Sequence, residues 1–260
     1  MTRLSVNINK IALLRNSRGH RIPDPVQVAL DCERFGADGI TVHPRPDGRH
    51  IRAGDVRQLK NCLNTELNIE GNPLDPGFME LVLEVRPTQA TLVPDAPAQL
   101  TSDHGWDFAS QGALLQPRIQ ELVAAGIRVS LFVDPVPEHA RLAGLTGAHA
   151  VELYTEAYAR AMETRSANSE EAPQILEPYL QTARAARELG LRVHAGHDLN
   201  LHNLPALSQA IPWLHEVSIG HALVADALYL GLENTVGLYR RCLTPKSLQP
   251  GHQGPESVPS

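Results

Sequence analysis

The stretch Gly39-Ile40-Thr41-Val42-His43-Pro44-Arg45-Pro46-Asp47-Gly48-Arg49-His50 decides the fold. Gly39 to Val42 is an apolar run of the length of a short buried strand. The chain then turns polar at once. Two histidines and two arginines fall between His43 and His50, with Pro44, Pro46 and Gly48 stiffening and turning the backbone between them. A histidine moves protons near neutral pH. An arginine presents a fixed fork of donors that fits a phosphate. Proton-transfer and phosphate-binding groups at the carboxyl end of a strand make an active-site loop. The competing reading is a solvated turn whose basic residues do nothing, and the rest of the chain has to decide between them.

The pattern repeats on both sides. Upstream, Leu4–Ile8 reads as a first strand, a polar loop runs from Asn9 to Ile22, and Asp24-Pro25 opens a helix to about Phe35 that Gly36 ends. Downstream, strands are expected at Glu66–Glu70, Ala90–Val93, Arg128–Val133, Ala150–Leu153, Arg192–Ala195 and Glu216–Ile219. Helices are expected at Ala53–Leu63, Asp75–Val85, Leu114–Ala125, Glu138–Leu145, Glu171–Leu189 (bent near Pro178), Leu204–Gln209 and Ala222–Cys242, the last broken at Gly231. Pro94–Gln111 reads as a long loop, and loops of that length in compact domains are usually functional. Eight strands alternating with helices predict an α/β fold with a parallel sheet. Eight units in about 250 residues predict a closed (β/α)8 TIM barrel. The barrel is expected to be a single domain over residues 1–243, and the Pro- and Gly-rich residues 244–260 a disordered tail.

Composition narrows the function. The chain has 260 residues, net charge −6 and a pI near 6.0, so nothing draws it broadly to nucleic acid or an anionic membrane. No apolar run approaches a membrane span, and Met1–Lys10 lacks the apolar core of a signal peptide. Cys32, Cys62 and Cys242 are odd in number and widely spaced, which suits a reducing cytoplasm better than a disulfide framework.

A barrel enzyme keeps its active site at the carboxyl ends of its strands. Those ends carry Asn7, Asn9 and Lys10; His43, Arg45 and His50; Glu70; Thr101 in the long loop; Glu152; Gly196-His197-Asp198; and Gly220-His221. The turns at the opposite ends, such as Phe35-Gly36-Ala37-Asp38 and Ala125-Gly126-Ile127, are short and plain. A catalytic face predicts that asymmetry and a structural barrel does not. The glycine-histidine pairs after strands seven and eight suit phosphate binding by backbone N–H groups. Glu70 follows the apolar Leu67-Asn68-Ile69, where partial desolvation raises a carboxyl pKa; its ordinary alternative is an ion pair with an arginine. The histidines fall in no metal-ligand spacing, so no metal is expected. Lys10, directly after a strand, leaves a Schiff-base mechanism open. A non-catalytic barrel that binds a phosphorylated ligand also stays open.

Taken together, Val6-Asn7-Ile8-Asn9-Lys10-Ile11-Ala12, Arg15-Asn16-Ser17-Arg18-Gly19, Gly36 through His43, Asn68-Ile69-Glu70, Ala195-Gly196-His197 and Ile219-Gly220-His221 resemble the pyridoxine 5′-phosphate synthase family over about residues 3–243. The resemblance implies condensation of 1-deoxy-D-xylulose 5-phosphate with 3-amino-2-oxopropyl phosphate, two small phosphorylated substrates. It also implies no cofactor or metal, and a homo-octamer. It further implies that His43 and Glu70 accept protons, His197 donates one and Glu152 stabilises a transition state. Asn7, Arg18, Gly220 and His221 would hold the amino-ketone phosphate, and Arg45, His50 and Thr101 the deoxyxylulose phosphate. Asn9-Lys10 stands where many members have aspartate-histidine, and Asp198 where many have glycine. Those three positions are expected to alter substrate contacts, not the reaction.

Overall fold

The computed structural model describes residues 1–96, 99, 101–163 and 172–244. Eight strands form one closed barrel: β1 (Arg3–Asn7), β2 (Gly39–Val42), β3 (Glu66–Gly71), β4 (Gln89–Leu92), β5 (Arg128–Val133), β6 (Ala150–Tyr154), β7 (Arg192–Gly196) and β8 (Glu216–Ile219). Each pairs in parallel with its sequence neighbour, and β8 closes on β1 in the register Val6 to Ile219.

Each strand alternates two kinds of residue. One set is apolar and fully buried: Leu4 and Val6, Ile40 and Val42, Leu67 and Ile69, Val129 and Leu131, Val217 and Ile219. These join Val56, Leu59, Val82, Leu115, Ile119 and Leu223 of the surrounding helices in one continuous core. The other set is polar and equally buried. Ser5 Oγ meets Thr41 Oγ1 at 2.7 Å, Thr91 donates to Asn68 Oδ1 at 3.1 Å, and Ser130 faces His194 at 3.4 Å. Period-two alternation sends the two sets to opposite faces of the sheet. The barrel is therefore lined with hydrogen-bonding groups.

The helices are α1 (Asn9–Asn16), α2 (Pro25–Arg34), α3 (Ala53–Cys62), α4 (Pro76–Val85), α5 (Phe108–Ala124), α6 (Pro137–Gly144), α7 (Glu156–Glu163), α8 (Ala172–Glu188), α9 (Leu204–Ala210), α10 (His221–Leu230) and α11 (Leu232–Cys242). Asp24 caps α2 by accepting from Val26 N, with Pro25 at the first helical position. Gly231, at φ 76°, separates α10 from α11.

Three expectations need correction. The first half of the Asn9–Ile22 loop is α1, which buries Ala12 and Arg15; the Arg15 guanidinium pairs with Asp55 at 2.6 Å. Its many polar residues mask a one-sided helix. α5 begins at Phe108, because Asp107 caps it by accepting from Ala109 N, and it carries Pro117 within it. The polar loop after β6 contains α7, anchored by buried Tyr158, whose Oη donates to Asn203 O at 2.6 Å. Residues 245–260 of the expected tail, and Glu171 at the start of the expected Glu171–Leu189 helix, lie outside the described residues.

Candidate active site

The carboxyl ends of the strands surround a cavity of about 410 Å³. Asn7, Asn9, Lys10, His43, Arg45, His50, Glu70, Thr101, Glu152, His197, Asp198, Gly220 and His221 all line it. Arg18 does not. It is exposed in the turn after α1, so this chain's fold does not bring it to the cavity. Arg49, Ser102 and Ser218 line the cavity too and were missed by the sequence reading. Arg49 stood inside the opening motif, and Ser218 is an inward position by strand alternation. Ser102 carried no local signal.

Backbone geometry fixes several of these groups. Asn7 Oδ1 accepts from Asn9 N at 3.0 Å, and Asn9 Oδ1 accepts from His43 N at 2.9 Å. That chain of contacts ties the end of β1 to the end of β2. Lys10 is exposed on the first turn of α1. His50 Nδ1 accepts from Ile51 N at 3.0 Å, which leaves Nε2 as the protonated nitrogen of the neutral ring. His197 and Asp198 both have left-handed backbone, at φ 78° and 56°. Thr155 braces that turn through contacts with Gly196 O at 2.6 Å and His197 O at 2.5 Å, and Asn203 Nδ2 donates to Asp198 O at 3.0 Å. Gly196 is required: a Cβ there would stand 2.2 Å from Glu152 Oε1.

The electrostatics reverse the usual order of acids and bases. Burial, with the charge of Asp95, pushes the Glu70 carboxyl up to about 8, against the pull of Arg45. Glu152 is raised well above the ordinary range by burial and then by Glu70 and Glu216. Burial, then Arg45 and His50, drives His43 well below the usual histidine value. His50 falls to about 4 through burial and then Arg45, and His197 falls to about 4 through burial and Arg45. At neutral pH the site therefore holds neutral imidazoles able to accept protons and carboxyls able to donate them. His43 Nδ1 lies 3.6 Å from Glu70 Oε2, and Asn7 Nδ2 approaches the same oxygen at 3.4 Å. His197 packs against Phe132 and Tyr154, with ring centroids 5.0 and 5.3 Å away.

Two anion-binding features flank β1. On one side stand Lys10, Arg45, Arg49 and His50. On the other is the start of α10, where Gly220 is the N-cap and supplies no side chain to satisfy the first N–H groups. Among the described residues, no three His, Cys, Asp or Glu side chains converge with metal-binding geometry.

The barrel resembles solved phosphate-handling barrels in fold alone. Phosphoribosylanthranilate isomerase from Thermotoga maritima aligns with a TM-score of 0.56 at 13% identity, covering 94% of this chain and 98% of that one. Thiamine phosphate pyrophosphorylase from Pyrococcus furiosus aligns with a TM-score of 0.56 at 12% identity, over 93% of this chain and 95% of that one. Sequence relatives are much nearer. Pyridoxine 5′-phosphate synthase of Bacteroides fragilis is 55% identical over 243 residues, 94% of this chain and all of that protein. The Porphyromonas gingivalis enzyme of the same name is 55% identical over 240 residues, 92% of this chain and 98% of its own. The family model described as pyridoxal phosphate biosynthesis protein PdxJ matches residues 4–245, and the chain belongs to that family of vitamin B6 biosynthetic enzymes.

Proposed function

We propose that the chain joins 1-deoxy-D-xylulose 5-phosphate to 3-amino-2-oxopropyl phosphate by general acid–base catalysis, releasing pyridoxine 5′-phosphate, phosphate and water. One observation carries this reading. A single cavity holds Glu70, Glu152, His43 and His197 between the Lys10–Arg45–His50 group and the uncapped start of α10. Two phosphates and a set of proton carriers are what the condensation requires.

The amine must lose a proton before it attacks the ketone, and neutral His43 is placed to take it. Loss of water from the resulting carbinolamine needs an acid, and protonated Glu70 supplies one. Having given its proton, Glu70 is the base for the next abstraction, which matches its expected role as acceptor. Bound phosphate raises the pKa of neighbouring imidazoles, so His197 gains a proton to donate only when the site is filled. Glu152, which lines the cavity and is held protonated by burial, would stabilise a transition state by donating a hydrogen bond to oxygen that gains negative charge. Asn7, Gly220 and His221 would hold the phosphate that the product keeps. Arg45, His50, Thr101 and Lys10 would hold the one that leaves. Asp198 is exposed, so it can turn its carboxylate to solvent while its backbone N–H stays available.

Lys10 is exposed, whereas a Schiff-base lysine is activated by desolvation; this favours the acid–base route over an aldolase-like one. The deciding experiment mixes purified protein with both phosphorylated substrates and seeks pyridoxine 5′-phosphate by mass. Tight binding without product would leave only the ligand-binding barrel.

We also propose that the barrels assemble as an octamer in the cytoplasm. Leu228 and Tyr229 of α10 are 76% and 90% exposed, and Leu13 and Leu14 of neighbouring α1 are exposed as well, which supports self-association. Cys32, Cys62 and Cys242 are free, as a reducing compartment allows. No described helix is long and apolar enough to cross a membrane. Light scattering on the eluting protein measures the assembly.

A further inference from the structure

A second cavity of about 330 Å³ adjoins the first. His43 and Arg45 line both and form the wall between them. Behind that wall lies Asp95, on the loop after β4, which lines only the second cavity. Its Oδ2 pairs with Arg45 Nη2 at 2.6 Å and accepts from Ser102 Oγ at 2.6 Å. Its backbone carbonyl accepts from Asn72 Nδ2 at 3.1 Å, beyond the end of β3. The Arg45 and Asp95 side chains are only 5% and 2% exposed.

A buried ion pair kept only for stability normally satisfies all its polar atoms. This one leaves Arg45 Nε and Asp95 Oδ1 buried without partners. The pair also sits among the proton carriers. Glu70 is faced by Asn7 from β1, His43 and Arg45 from the end of β2, Asp95 from the loop after β4 and Glu152 from β6. Arg45 is the cation acting on Glu70, and its charge pulls that carboxyl down against burial. Asp95 supplies a compensating negative charge.

We propose that Asp95 is a positioning residue that fixes the Arg45 guanidinium in the wall between the two cavities and thereby governs proton exchange at Glu70. It acts without touching substrate. Its catalytic consequence rests on the synthase reading above; its effect on Glu70 does not. With Asp95 in place, Glu70 stays protonated beside a guanidinium, ready to act as the acid that expels water. Without it, Glu70 faces an uncompensated cation and gives up its proton at lower pH.

The test uses the full chain with carbon-13 in its glutamate carboxyls, titrated without substrate, Glu70→Gln serving to assign the Glu70 signal. In Asp95→Asn the Glu70 midpoint should fall by about 1 pH unit. Asp95→Glu should restore it. If Asp95→Asn does not fold, the double variant Arg45→Gln/Asp95→Asn leaves no lone buried charge. Its midpoint should also lie below the parent's, because Asp95 acts on Glu70 more strongly than Arg45 does. The alkaline limb of kcat/KM should move down with the midpoint, because Glu70 acts in its protonated form. A Glu70 midpoint unchanged in either folded variant overturns the proposal, whether or not the parent makes pyridoxine 5′-phosphate. A uniform loss of rate with an unmoved alkaline limb also overturns it, since that is what a purely structural pair would give.

Discussion

Glu70→Gln should make the protein more stable at neutral pH while removing most of its activity. In the folded chain the carboxyl titrates at about 8, against 4.5 for the ordinary group. Between those values the folded state holds a proton that the unfolded state has released. Stability from this group is therefore full below about pH 4.5 and falls as pH rises to about 8, where the loss levels off. At 1.36 kcal/mol per unit, the loss is about 3 kcal/mol by pH 7 and approaches about 5 kcal/mol at high pH. Glutamine has no such proton to lose. It keeps the shape of the side chain, and the contacts at stake are weak: Asn7 at 3.4 Å and His43 at 3.6 Å. The variant should thus match the parent near pH 4 and exceed it by about 3 kcal/mol at pH 7, with turnover lower by at least ~10²-fold. Urea unfolding of both proteins across about pH 4 to 9 measures the difference. A stability difference that does not grow with pH would refute the buried, protonated assignment of Glu70. Near-parent turnover would refute its part in proton transfer.

Three further outcomes are expected. Asp198→Gly relieves a left-handed backbone at φ 56° and should raise stability by up to about 1 kcal/mol in thermal melts, with product formation retained. Gly196→Ala places a methyl 2.2 Å from Glu152 Oε1 and must displace that carboxyl; kcat should drop at least ~10-fold with little change in KM for either substrate, and an unaffected kcat would remove Glu152 from the mechanism. Lys10→Arg should keep measurable turnover with weaker saturation by the ketose phosphate, whereas complete loss together with a borohydride-reducible adduct in the parent would restore the aldolase-like route.

Much of this protein was legible one residue at a time. Strand length, helix caps such as Asp24-Pro25, and the crowding of titrating residues after each strand are local properties, and local propensity agrees with the fold along most of the chain. They determined eight β/α units, the barrel, and the face on which Glu70, His43, His197 and Glu152 meet. What escaped the sequence depends on which side of an element is covered. α1 and α7 read as polar loops because their apolar faces are narrow, and only packing against the barrel makes Ala12 and Tyr158 core residues. Arg18 sits near site residues in sequence, yet it is exposed in the turn after α1 and does not line the cavity. Charge state is the least local property of all. The apolar run before Glu70 pointed to a raised carboxyl pKa, but its alternative as an ion-pair partner and the lowered value of His43 were decided only when residues from β2, β3 and β4 were enclosed together with the Arg45–Asp95 pair. The chain supplied the chemical groups; the closed barrel, by excluding water and fixing the distances between charges, decided which give protons and which take them.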